Sequence, residues 1–306
     1  AVRYSFIAAD FHHLLLAGFT GALNYPLWPE PEIAAGVADP MRKRLQAHYD
    51  AKGLGPVPRP EGAASDVSPE HLAMVLRAKP QMVSFHFGLP KQEVLDAIKG
   101  AGIFVISSAT TVAEAKMLER RGVDAVIAQG TEAGGHRGTF TGVDMSMQPG
   151  LFALLPQVVD AVRVPVIAAG GIADGRTVAA ALALGASAVQ LGTAFLRCEE
   201  ANVLDAHRVA LREATDACTI VTDMITGRPA RYIRNKLTDD LIASGLEPVA
   251  FPAQLSLTAP LGATGDRELT ALFAGQSAAL ARDTTAAELV HSLAEETTRR
   301  LRAMKP

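Results

Sequence analysis

The stretch from Met82 to Leu191 constrains this chain most. Apolar segments of strand length and of helical length alternate through it with short connections. The pattern predicts strands over 82–87, 104–108, 124–128, 164–168 and 187–191, with helices over 91–100, 112–121, 150–161 and 175–184 between them. Such alternation winds right-handed βαβ units into a parallel sheet whose strands are buried on both faces. Thr111 with Glu114 three residues on reads as a capping box opening the second helix, and Asp174 reads as the N-cap of the fourth. The fold class is therefore α/β, a TIM-type (β/α) barrel. Closing such a barrel takes about eight strands; this region supplies five, and a sixth is predicted over 20–24, ending at Asn24.

The C-terminal ends of these strands carry the chemistry. The strand over 124–128 runs into Gln129-Gly130-Thr131-Glu132-Ala133-Gly134-Gly135-His136-Arg137-Gly138. At this edge of an α/β sheet loops are free to bind ligands. Gly134 and Gly135 let backbone amides approach an anion or a flat ring, and His136 is the titratable group beside them. Glu132 and Arg137 either orient His136 or are solvated. The next strand ends in Gly170-Gly171-Ile172, and the one after in Gln190-Leu191-Gly192-Thr193. Two adjacent loops rich in free N–H groups are how barrel enzymes hold a phosphate; tight turns alone are the alternative role of these glycines.

Taken in order, Ser84-Phe85-His86-Phe87-Gly88, the Ala128 to Gly138 segment, Ala168-Ala169-Gly170-Gly171-Ile172-x-Asp174-Gly175, Gln190-Leu191-Gly192-Thr193-Ala194-Phe195 and Gly227-Arg228-x-Ala230-Arg231 resemble the motifs of the FMN-dependent nitronate monooxygenases, formerly called 2-nitropropane dioxygenases. The match runs from about Asn24 to the C-terminus. The resemblance implies oxidation of alkyl nitronates or nitroalkanes by O2 to a carbonyl compound and nitrite, with the redox chemistry supplied by FMN. It implies His136 as the catalytic residue, acting as base or as imidazolium. His86 also stands at a strand end facing the same mouth, either as a structural histidine between Phe85 and Phe87 or as a substrate-binding residue. Asn24, Gln129, Gly134, Gly135, Gly170, Gly171, Gln190, Gly192 and Thr193 would bind FMN, with the Thr193 hydroxyl as an added phosphate donor; no metal site is implied. FMN is favoured over FAD because no GxGxxG follows a first strand. The family's opening strand and its second Gly-rich unit have no counterpart in residues 1–19. The barrel is thus expected to lack the family's first one or two strands unless those residues substitute for them. Competing readings are an FMN- and NAD(P)H-dependent enoyl-thioester reductase, which shares the Gly-Gly-His and Gly-Gly-Ile motifs, a flavin-binding relative that has lost activity, and a phosphate-binding barrel isomerase.

With 306 residues, 49% of them hydrophobic, the chain is ample for one barrel-sized domain. A net charge of −3 provides no basic surface for nucleic acid. Two cysteines, Cys198 and Cys218, form neither a disulfide framework nor a zinc pattern and fit a reducing cytoplasm. No apolar run reaches the roughly 18 residues that span a bilayer, so no membrane partner is expected; a homodimer is the candidate assembly. Within residues 1–19, Phe6, Ile7, Phe11, Leu14, Leu15 and Ala17 are compatible with a helix, and His12-His13 lacks a third ligand at metal spacing. Residues 30–67, with one helix over 40–51, read as a surface excursion; Ser68-Pro69 starts a helix. The division expected is an FMN-binding barrel over 1–196 and a small helical lobe over 197–306 covering its mouth. In that lobe helices are predicted over 207–214, 237–244 and 267–282, with 221–222 and 227–231 as loop or short strand. A last helix is capped by Thr285 and Glu288 and carries Leu289, Leu293 and Leu301 on one face.

Overall fold

The computed structural model describes residues 6–10, 13–16, 22–62, 64–142 and 144–304. In chain order the first part runs β1 (Phe6–Asp10), β2 (His13–Leu16), β3 (Ala22–Pro26), α1 (Asp39–Ala51), α2 (Pro69–Ala78), β4 (Met82–His86), α3 (Gln92–Gly100), β5 (Phe104–Ala109), α4 (Val112–Arg120), β6 (Ala125–Gln129), β7 (Gly135–His136), α5 (Leu151–Ala161), β8 (Val166–Ala169), α6 (Gly175–Ala183) and β9 (Ala188–Leu191). One curled, mostly parallel sheet takes eight of these strands in the order β2-β1-β9-β8-β6-β5-β4-β3, with only β2 antiparallel to its neighbour. Among the described residues no ladder joins β2 to β3, so hydrogen bonds do not close the barrel.

The helix-compatible pattern near the N-terminus gives way to strand. Phe6 and Ile7 pair in parallel with Val189 and Gln190 of β9, and β2 folds back on β1. An unpaired β9 would leave a row of buried backbone groups without partners; β1 supplies them, from a place far away in sequence that local periodicity does not sense. Phe11, His12, Ala17, Thr20 and Gly21 lie outside the described residues.

Strand pleating sorts the side chains. Val83, Phe85, Val105, Val126, Val166 and Val189 point outward into the core beneath the helices. Met82, Ile106, Ile127 and Ile167 fill the inside of the curl. Continuing the inward phase to the C-terminal ends brings Asn24 and Pro26, Ser84 and His86, Gln129, Ala169 and Gln190 to a common mouth.

After β9 come α7 (Asp205–Arg212), β10 (Thr219–Thr222), β11 (Ala230–Ile233), α8 (Lys236–Ala243), α9 (Ala253–Gly262) and α10 (Ala286–Ala303). Three departures from the sequence reading matter. Residues 30–67 are no surface excursion: Met41, Leu45 and Tyr49 of α1 join Tyr232, Leu241, Leu257 and Leu261 in a second core, and the Tyr49 hydroxyl donates to the Leu257 carbonyl at 2.8 Å. No helix spans 267–282; beyond a short 3-10 turn over Ala278–Leu280 the segment is irregular. Its carbonyls are claimed from outside, Leu272 by the Ile233 amide at 2.7 Å and Arg267 and Thr270 by Asn235 Nδ2 at 2.8 Å each, which leaves them unavailable to an i→i−4 ladder. The helix lies earlier, at α9. Finally, α10 packs on α6 of the outer helical layer, so closely that a Cβ on Gly175 would lie 2.7 Å from the Thr297 nitrogen. No helix among the described residues is long and apolar enough to cross a membrane.

Candidate active site at the sheet mouth

The cavity at the mouth holds about 300 Å³. Asn24, His86, Gln129, Gly134, Gly135, His136, Gly170, Gly171, Gln190, Gly192 and Thr193 all line it, so the residues assigned to catalysis, substrate and FMN from the sequence lie together there. The glycines reach it for different reasons. Gly171 has φ +70°, where a side chain is strained. Gly134 is in contact with backbone: an added Cβ would lie 2.5 Å from the Gly275 nitrogen. Gly192 has φ −112° and open space where its Cβ would be, so neither conformation nor packing demands glycine at that point. Gln190 Oε1 is buried without a hydrogen-bond partner.

His136 arrives on β7, a two-residue strand that follows the Gly134–Gly135 turn. It is the edge of a three-stranded sheet, β10-β11-β7, in which Ala230 pairs with His136 and Arg231 with Gly135. The segment expected as loop or short strand, 227–231, is thus what grips the histidine. Arg231 adds hydrogen bonds to the Thr131 carbonyl at 3.0 and 2.8 Å. The imidazole itself is buried; its Nε2 lies 2.9 Å from the Thr226 hydroxyl. Phe251, Phe273 and Phe87 surround it at ring-centroid distances of 5.2, 5.5 and 6.0 Å. Burial first, and then the neighbouring His86 and Arg228, push its pKa down to about 3; burial and Arg228 push that of His86 to about 4. Burial thus favours the neutral form of both rings.

Several neighbours differ from expectation. Glu132, half-buried, serves the backbone: both its oxygens accept from the Leu151 amide, at 2.8 and 2.9 Å, at the start of α5. Arg137 is fully buried and ties the Gly130 and Gln129 carbonyls at 2.5 and 2.9 Å. Gln129 spends its carboxamide on the same loop, Nε2 to the His136 carbonyl at 3.1 Å and Oε1 to the Gly138 amide at 2.8 Å. It clamps the histidine segment as well as lining the cavity. The Thr193 hydroxyl accepts from the Gly275 amide at 2.9 Å, and its own proton stays available to a ligand. Thr111 does cap α4, but Glu114 turns inward, where Thr139 Oγ1 and the Phe140 amide donate to it, each at 2.7 Å. Phe273, Gly275, Ser277 and His207 complete the cavity from the C-terminal segment. They escaped the sequence reading because they lie in an irregular stretch and on one helix with no motif around them.

A family model for nitronate monooxygenase matches residues 58–296. The chain belongs to the nitronate monooxygenase family. It is 43% identical over 267 residues to a nitronate monooxygenase of Paraburkholderia phytofirmans, covering 82% of this chain and 71% of that one. It is 41% identical over 277 residues to one of Pseudomonas aeruginosa, covering 85% and 78%. Among solved structures it resembles the nitroalkane oxidase of Streptomyces ansochromogenes, with TM-score 0.85, 38% identity and coverage of 93% of this chain and 82% of that one. FabK from Thermotoga maritima is more distant, with TM-score 0.65, 30% identity and coverage of 89% and 86%. As a member of a nitronate monooxygenase family the chain is an oxidoreductase.

Proposed function

We propose that the protein oxidises alkyl nitronates, and nitroalkanes after removal of their α-proton, with O2 to a carbonyl compound and nitrite, using FMN. The observation that carries this reading is the convergence of eleven motif residues on one cavity in a chain of this family. The cavity suits FMN on its own terms: the unpartnered Gln190 Oε1 awaits an N–H or O–H donor, and the backbone at Gly192 faces open space. The amides of Gly170, Gly171, Gly192 and Thr193 would hold the phosphate, with Asn24, Gln129, Gly134 and Gly135 along the ring system. When bound there, FMN supplies the electron acceptor. The remaining work falls to the chain. His136, neutral and enclosed by phenyl rings, takes the α-proton of a neutral nitroalkane. Phe273, Leu196 and Val203 give the cavity an apolar side for the alkyl group, and His86 stands beside the reacting end.

An absorbance spectrum tests the reading. The purified protein should take up FMN, the bound flavin should bleach on anaerobic addition of propyl nitronate, and readmitted oxygen should yield nitrite. No flavin uptake overturns the cofactor assignment. The likeness to FabK favours a second reading, an FMN- and NAD(P)H-dependent enoyl-thioester reductase; bleaching by NAD(P)H with no nitrite from nitronates would select it.

A further inference from the structure

Phe87 and Arg228 belong to two of the motifs read from the sequence, and neither is among the residues that line the cavity. They stand behind its wall. The guanidinium carbon of Arg228 lies over the face of the Phe87 ring, 3.9 Å from its centre. The same ring is 4.3 Å from the ring of His86 and 6.0 Å from that of His136, centre to centre, and both imidazoles line the cavity. One phenyl ring therefore stands between a cation and two residues of the wall. Phe87 keeps this place in the left-handed region, at φ +68°, where a side chain is strained.

The charge of Arg228 has little to balance it. The residue is half-buried, its Nη2 donates to the Thr139 carbonyl, a neutral acceptor, and its buried Nε has no partner. The carboxylate that opposes it is Glu114, which stands on the far side of Thr139 and already accepts from the Thr139 hydroxyl and from the Thr110 and Phe140 amides. Burial lowers the Arg228 pKa to about 10, which leaves it protonated at neutral pH, while burial favours the neutral form of His86 and His136. Glu132, the carboxylate that lines the cavity, is offset by Arg137 and Arg231. A half-buried cation without a carboxylate of its own favours a negative charge brought near it.

We propose that Arg228 is the charge-selecting residue of the site: from behind Phe87 it favours an anionic head group against His86 and His136 over an uncharged group of the same shape. On the proposed function that anion is the nitronate, whose negative charge is shared by its two oxygens, and the uncharged form is the parent nitroalkane. The identity of the anion rests on that reading; the preference for negative charge does not. Arg228 does not touch the ligand. Its field acts across a phenyl ring, where there is no water to screen it. When the α-carbon's C–H bond of a bound nitroalkane breaks, the proton passes to His136 and the electron pair moves into the C=N bond, and the charge that develops on the oxygens is favoured by the same cation.

Titration calorimetry of the FMN-loaded protein with nitrate, a small planar oxyanion, tests the proposal together with steady-state kinetics. The wild type should bind nitrate, and nitrate should compete with propyl nitronate. Arg228→Gln, and Arg228→Met, which keeps an apolar contact with Phe87, should each weaken nitrate binding about tenfold and raise KM for the nitronate by a similar factor. With a neutral nitroalkane KM should stay within about twofold while kcat falls about tenfold, because charge appears there only as the proton leaves. Arg228→Lys, which keeps the charge, should bring all of these to within about threefold of wild type. Unchanged nitrate affinity in the two charge-free variants, or equal rises in KM for charged and uncharged substrates, would overturn the proposal. So would a wild type that binds no nitrate, an outcome that decides even if neither charge-free variant folds. A wild type that binds nitrate in an Arg228-dependent way yet turns over no nitronate would count against the proposed function and leave the role of Arg228 standing.

Discussion

The floor and the roof of the cavity are built by different means. The floor consists of the ends of β6, β8 and β9, where consecutive βα units repeat one design and the ligand-facing groups are backbone amides in glycine loops. The roof comes from the C-terminal segment, where Phe273 and Gly275 line the cavity from irregular chain and Thr226 stands behind His136. Gly135 and His136 belong to both, by sequence to the loop after β6 and by pairing to the sheet with β11. On the proposed function, the floor would hold the ligand and the roof would surround the group that acts on it.

Breaking the junction should have the largest effect. His136→Ala is expected to reduce turnover of neutral nitroalkanes by about 10²–10⁴-fold, and of pre-formed nitronates far less, because only the former require a base. Equal losses on both substrates would remove the base assignment.

A pair of glycines separates roof contact from floor. Gly134→Ala drives a Cβ to 2.5 Å from the Gly275 nitrogen and should cost about 1–3 kcal/mol in denaturant unfolding. Gly192→Ala meets nothing and should stay within about 0.5 kcal/mol, whereas Gly192→Asp, folded equally well, should lose the yellow of bound flavin by setting a carboxylate against the phosphate. Flavin retained by Gly192→Asp would exclude that loop from the phosphate site.

Acid sharpens the roof. The unfolded chain protonates His136 near its ordinary pKa of 6.5, while the native protein resists until about 3. Falling pH therefore favours unfolding across that window, by about 2 kcal/mol at pH 5 from this group. His136→Gln should flatten the pH dependence of the unfolding midpoint; an unaltered slope would place the titrating group elsewhere. The smallest effect is expected where neither region is involved. Arg267 and Glu213, exposed partners at 2.7 Å, should contribute at most about 0.5 kcal/mol, so Arg267→Ala ought to leave the unfolding curve almost unmoved.

Legibility in the sequence follows the same division. The five central strands and the capped helices at Asp174 and Thr285 stood out because their signals are local: apolar runs, glycine breaks, and a side chain three residues from the amide it caps. The residues of the floor could be named individually for the same reason. Glu114 looked like half of a capping box, yet its carboxylate accepts from the Thr139 hydroxyl and the Phe140 amide on another loop, a choice that depends on which loop folds against it. Residues 267–282 looked helical by composition and are not, because Asn235 and Ile233 take their carbonyls. The strands at the N-terminus were illegible because their partner, β9, is remote in the chain.

The sequence by itself determined the α/β rhythm, the family, and which residues gather at the sheet mouth, since pleating and periodicity are properties of neighbouring residues. Only the tertiary structure decided that the sheet gains β1 and β2, that α1 belongs to a second core with α9, and that Thr226 stands against His136. Those outcomes rest on hydrogen-bond partners and burial contributed by distant segments, and a group's pKa is set by whatever surrounds it in space.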